Sequence, residues 1–234
     1  MTNCMVARIK KWIPAFVVVP FILTWVADFL VFYIGKLSPV PPVEIDIALD
    51  QKIPFIPAFI VVYVLAFVQW AAGYIIIMRD GRDTTCRVFS GEILAKLITF
   101  VFFIFMPTVI ERPEVTGHGV FDWMTRFAYA VDTPKCLFPS IHCLASWICW
   151  RGTFYMKRVS KQYRICMFLF TLLVFASVVL VKQHYIVDVA AGVAVAEIGL
   201  FLAPRLKLDQ LFENCCTAIE RCWKARSAKK QKTV

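Results

Sequence analysis

Six apolar stretches constrain this chain more than any other feature: approximately 12–35, 55–78, 88–110, 141–156, 165–181 and 185–203. A helix rises about 1.5 Å per residue, so about 20 residues cross roughly 30 Å of hydrocarbon. The first three stretches are ample. The fourth is short and carries Arg151, and the fifth extends into its flanks. The residues are 60% hydrophobic and 18% charged, against roughly 45–50% and about 25% in soluble domains. The excess apolar surface must face lipid. The first stretch is too long for a signal-peptide core and lacks a small-residue cleavage site, so it reads as a retained span. The expected fold is all-α: a six-transmembrane-helix bundle, one membrane-embedded domain over 1–204, and a basic tail over 205–234. The tail is expected to be amphipathic and then disordered.

The formal net charge is +10, but its distribution excludes a nucleic-acid reader. The basic residues sit in short clusters between apolar runs, and no basic groove or reader motif is present. One set of connections holds Arg8, Lys10 and Lys11, then Arg79, Arg82 and Arg87, then Arg151, Lys157, Arg158, Lys161 and Arg164, and finally the tail. The other set holds only Lys36, Lys52, Arg112, Arg126, Lys135 and Lys182. Positive residues stay inside, so both termini are expected to be cytoplasmic, with 36–54, 111–140 and 182–185 outward. Within 111–140, Phe121, Trp123, Met124, Phe127 and Ala128 recur at near-helical spacing. They predict a short interfacial helix before the fourth span; the alternative is a loop with aromatic anchors. Glu92 and Lys96, four residues apart, are expected to pair. Asp28 is read as a structural partner within the first span. The nine cysteines show no C-x-x-C spacing. Oligomeric state is not read from the sequence.

Two of the three histidines stand in suggestive settings. His184 and Asp188 are four apart; on a helix they share a face, and the carboxylate fixes the imidazole tautomer, freeing the other nitrogen as nucleophile or base. A self-satisfied polar pair is the competing reading, but ionisable groups in a span are costly. Ser140 follows Pro139 and precedes an apolar run, which suits an N-cap whose free N–H groups attract anions. His142 sits in that first turn. Charge bias alone puts His142 and His184 on the same side of the membrane. His118, in Thr-Gly-His-Gly, reads as a surface residue.

With these residues in place the chain resembles the type 2 phosphatidic acid phosphatase superfamily of membrane phosphoesterases, over roughly 80–204. That family carries, in order, Lys-x6-Arg-Pro, Pro-Ser-Gly-His and Ser-Arg-x5-His-x3-Asp. Here they stand as Glu111-Arg112-Pro113, Pro139-Ser140-Ile141-His142, and Ser177-Val178 followed after five residues by His184-x3-Asp188. The stretch is also similar to inositol phosphorylceramide and sphingomyelin synthases. The resemblance implies that His184 attacks phosphorus to form a phosphohistidine, Asp188 holds its tautomer, and His142 protonates the leaving alkoxide. It implies that Arg112 and Ser140 hold phosphate oxygens, with no metal and no cofactor. Three positions depart from the motifs: Phe105 replaces lysine, Ile141 replaces glycine, and Val178 replaces arginine. If the fifth span continues helically, Lys182 lies one turn above Val178 and supplies the missing charge.

The resulting expectation is an integral multi-pass membrane enzyme with its site at the outer face. It hydrolyses a lipid phosphate, such as phosphatidic acid or an isoprenyl pyrophosphate, among membrane lipids. One alternative is a lipid phosphotransferase with the same first step. Another is a non-enzymatic transporter, which would place ionisable residues deep in several spans.

Overall fold

The computed structural model describes residues 15–231. Among the described residues eight α-helices follow one another: α1 Ala15–Gly35, α2 Ile60–Asp80, α3 Arg82–Phe105, α4 Val120–Val131, α5 Ile141–Gly152, α6 Lys161–Leu180, α7 Ile186–Arg205 and α8 Leu208–Gln231. Among the described residues no strand forms, and two isolated bridges, Val43 with Thr108 and Val109 with Lys135, tie the long connections together. The basic cluster Arg8, Lys10 and Lys11, the start of the first apolar stretch, and the end of the tail lie outside the described residues.

Four helical segments are long and apolar enough to cross a membrane: Pro57–Asp80, Arg82–Phe105, Lys161–Leu180 and Ile186–Arg205. In α1 the apolar part Pro20–Gly35 is shorter. The fourth apolar stretch is shorter than expected. Its helix ends at Gly152 after 12 residues, about 18 Å. Arg151 at its end pairs with Glu197 of α7 through two contacts, one of them Nη2 to Oε2 at 3.1 Å, which fixes this short helix laterally. The third helix is displaced towards the N-terminus of the expected 88–110, ending before Pro107.

The tail also departs from expectation: it is helical through Gln231. Arg82 anchors it, donating from Nη1 to Thr217 at 2.9 Å and from Nη2 to Glu220 at 2.8 Å. At the centre α3 crosses α7 with almost no side chain between them. A Cβ on Gly199 would lie 2.3 Å from the Gly91 carbonyl oxygen. Close backbone approach of this kind needs glycine, and it carries helix packing in lipid, where apolar side chains gain little from burial.

Candidate active site

The turn between α6 and α7 carries His184. α6 closes when Lys182 takes the left-handed conformation (φ 52°); the Gln183 N–H donates to Val178 O at 2.9 Å and the Lys182 N–H to Val179 O at 3.1 Å. This is the hydrogen-bond pattern of a Schellman cap. The His184 N–H also donates to Val178 O at 3.1 Å. α7 then starts at Ile186, with Tyr185 as N-cap and Asp188 in its first turn. Asp188 Oδ2 accepts the Tyr185 N–H at 2.9 Å and lies 3.2 Å from His184 Nδ1. The pair does not share a helical face as expected. Instead the histidine precedes the helix, and the carboxylate reaches back over the N-terminus to it. A carboxylate only accepts, so Nδ1 carries the proton and Nε2 keeps its lone pair.

Ser140 caps α5, its Oγ accepting the Cys143 N–H at 3.3 Å. Its own N–H donates to the Asp188 carbonyl at 3.1 Å. This contact needs the backbones close together, and Gly192 permits it, since a Cβ there would sit 2.6 Å from Ser140 O. The two motif turns are thereby joined. The His142 and His184 ring centroids lie 6.1 Å apart. His142 stacks on Tyr63 at 4.3 Å and meets Trp70 at 5.0 Å. Among the described residues its buried Nε2 has no hydrogen-bond partner.

Both imidazoles line a cavity of about 660 Å³ enclosed by α1, α2, α4 and the start of α5, within the usual range of ligand sites, roughly 300–1,000 Å³. Its walls are mostly aromatic and aliphatic, among them Phe29, Phe67, Trp123 and Phe127.

Arg112 stands beside this cavity. Its Nη1 donates to the carbonyls of Asp132 at 2.5 Å and Tyr129 at 3.3 Å, and Nη2 donates to Gln183 Oε1. Burial lowers its pKa, opposed by the charge of Asp132. Burial also pushes the neighbouring Tyr129 phenol up to about 12, so it remains a donor, to Val181 O at 2.7 Å. Asp132 lines the cavity and accepts from Tyr63 OH at 2.9 Å.

Lys182 does not reach the site. α6 stops at Leu180, so the helical continuation that would have set Lys182 above Val178 does not exist. The reversed backbone sends Nζ to the carbonyls of Asp50 at 3.1 Å and Ile53 at 2.7 Å. Asp50 in turn accepts the Ile186 N–H at 2.9 Å, and the Ile56 N–H donates to Leu180 O at 2.9 Å. Lys182 is part of a strap that binds the 50–56 segment to the histidine turn. Val178 is fully buried in the core and Phe105 is exposed, and neither lines the cavity that holds the imidazoles.

The sequence pattern assigned no role to Tyr63, Asp132 or Gln183. Asp132 precedes Thr133-Pro134 just before the second motif, which was a usable signal; Tyr63 and Gln183 carry none beyond proximity. Among the described residues no group of three or more His, Cys, Asp or Glu is placed to hold a metal ion.

Fold and site together define an all-helical membrane protein with a carboxylate-backed imidazole facing a second imidazole in an apolar cavity. The chain belongs to the PAP2 superfamily, whose family model matches residues 48–202. Members are phosphoesterases, so the reaction is of the hydrolase kind. No curated protein and no solved structure matches the chain.

Proposed function

We propose that this protein hydrolyses a lipid phosphate, such as phosphatidic acid or an isoprenyl pyrophosphate, through a phosphohistidine on His184. One observation carries the reading: an imidazole tautomerically set by Asp188 lies 6.1 Å from a second imidazole in one apolar cavity. A phosphorus atom between them meets the Nε2 lone pair of His184. The N–P bond forms as the P–O bond to the lipid breaks, and the proton that the phosphate monoester brings as its monoanion passes through His142 to the departing alkoxide. Water then attacks the phosphohistidine, His142 takes the proton, and inorganic phosphate leaves. Fixed donors stabilise charge on the phosphoryl oxygens. Arg112, tied next to His184 through Gln183, and the N-terminus of α5 at Ser140 are assigned that task.

In this reading α1, α2, α3, α5, α6 and α7 cross the bilayer, with α5 completed by its flanks, and α4 lies in the interface with Phe121, Trp123 and Phe127 towards lipid. Residues 1–204 form the membrane domain, both termini are cytoplasmic, and the cavity lies in the outer half. A second reading is transfer of a phospho-headgroup to a lipid alcohol, which leaves a phosphodiester and releases the donor's alcohol; the apolar cavity walls favour it, since they suit such an acceptor better than water.

The test is purified protein in detergent with a panel of lipid phosphates, with inorganic phosphate and new phospholipid species both quantified. Phosphate release supports hydrolysis, and a new phosphodiester supports transfer. His184→Ala is expected to abolish both without unfolding the bundle; a variant that still turns over removes His184 as nucleophile.

A further inference from the structure

Three ionisable side chains meet inside the bundle, away from the imidazole pair. Lys96 of α3 lies 2.8 Å from Glu92 Oε1, one turn earlier, and 3.0 Å from Asp28 Oδ1 of α1. Its Nζ also donates to Thr24 O at 3.1 Å. Glu92 is completed by Tyr74 OH on Oε1 and by Thr24 Oγ1 on Oε2 at 3.4 Å. The expected Glu92–Lys96 pair therefore exists, with a third charge added to it.

That third charge is surplus. Glu92 alone neutralises Lys96 and is itself fully buried and hydrogen-bonded on both oxygens. Ionisable groups within the hydrocarbon are expensive, and a structural clamp needs one carboxylate here, not two. The redundant one, Asp28, is also the one that opens onto the cavity: its side chain is 17% exposed and it lines the same cavity as His142 and His184. Among the described residues Lys96 Nζ forms an ion pair with Asp28 Oδ1 without a well-directed hydrogen bond, and no hydrogen bond reaches Oδ2.

An independent observation lies one turn away. Trp25 precedes Asp28 by three residues, so the two share a helical face, and Trp25 lines the cavity too. Its Nε1 is buried without a hydrogen-bond partner among the described residues. Leaving such a donor unsatisfied costs about 1–3 kcal/mol. A carboxylate oxygen without a donor and an indole N–H without an acceptor lie one helical turn apart on the same face of α1. A hydroxyl group answers both, and so does a secondary amide.

We infer that Asp28 and Trp25 form a second polar subsite in the cavity, which takes a hydroxyl or amide group on the lipid. The O–H or N–H donates to Asp28 Oδ2, and the oxygen accepts from Trp25 Nε1. Both residues precede the 48–202 span that the family model matches. The inference rests on the reading that a lipid occupies the cavity, and it narrows the substrate class to lipids bearing such a group.

The test reads binding, so it does not depend on phosphoester turnover. Full-length protein in detergent micelles is titrated with a monoacylglycerol carrying a brominated acyl chain, and with the analogue whose hydroxyls are methyl ethers. Bromine quenches tryptophan emission, and Trp25, Trp70 and Trp123 line the cavity. A hydrogen bond to a charged group is worth about 1.5–3 kcal/mol, so the wild type is expected to favour the hydroxyl form at least about tenfold. Asp28→Leu leaves Lys96 paired with Glu92 and is expected to bring the preference to within about twofold. Trp25→Phe keeps an aromatic ring and is expected to cut the preference about threefold or more. Asp28→Asn retains a neutral acceptor and is expected to hold an intermediate preference; it serves if the leucine variant misfolds. A wild type without preference overturns the inference, as does a preference unchanged in the Asp28 variants. Loss of affinity for both lipids in parallel would make Asp28 a clamp only, and also overturns it. Lack of phosphate release in the turnover assay, by contrast, strikes the proposed function and leaves this result standing.

Discussion

Asp188→Asn changes one atom of the site and nothing of its volume. The carboxylate Oδ2 serves two donors, the Tyr185 N–H at 2.9 Å and His184 Nδ1–H at 3.2 Å, in a fully buried position. The amide keeps one acceptor oxygen and puts a donor where the other oxygen was. If its oxygen stays on Tyr185 it also stays beside His184 Nδ1 but without its charge, so the tautomer that leaves Nε2 free to attack is held less firmly. A hydrogen bond to a charged group is worth about 1.5–3 kcal/mol, and each 1.36 kcal/mol is about tenfold in rate. The expected loss in kcat is therefore about 10- to 150-fold. The capping bond contributes separately to stability, about 0.5–2 kcal/mol for a lost cap. The assay is the initial rate of phosphate release from short-chain phosphatidic acid in mixed micelles, with thermal unfolding followed in parallel. A variant with wild-type midpoint and a rate within about threefold of wild type would refute the tautomer argument.

His142→Ala is expected to slow hydrolysis of alkyl phosphates by about 10²–10⁴-fold but to spare esters of acidic phenols, which leave without a proton. Equal slowing on both would remove it as general acid. Lys182→Met leaves two carbonyls without their donor and is expected to lower the unfolding midpoint while KM for a lipid phosphate stays within about twofold. A large rise in KM at unchanged stability would return Lys182 to the phosphate.

The helix positions were legible because each apolar run is long and bounded by charge or proline, and the 12-residue α5 shows where that logic weakens. Burying a short helix against α7 through Arg151 and Glu197 is a tertiary solution that hydropathy does not encode. The His184–Asp188 spacing pointed to the right partners in the wrong geometry. Four-residue spacing reads as one helical face, but the same spacing also spans an N-cap, where the side chain folds back over the terminus. Lys182 was misplaced for a related reason. A lysine in the left-handed conformation ends its helix, and single-residue propensity favours glycine there. Tyr63 and Asp132 are 69 residues apart, and nothing local in either segment announces that they meet. Asp28 was read as structural because a lone carboxylate in a span usually is. Only the cavity beside it reveals the oxygen left over.

The strap that joins the 50–56 segment to the histidine turn has a mechanical corollary. Lys182, Asp50 and Ile56 bolt His184 to the first long connection, so that flank of the chamber has little freedom to swing aside. The opposite flank is built from Phe29, Tyr33, Trp123 and Phe127, greasy side chains half open to the surroundings. On the proposed reading, a bilayer-dissolved substrate enters edgewise between α1 and α4 without passing through water. For such a catalyst the quantity that sets its rate is the number of substrate molecules per unit area of leaflet, and dilution by neighbouring lipids inhibits it as effectively as removing substrate.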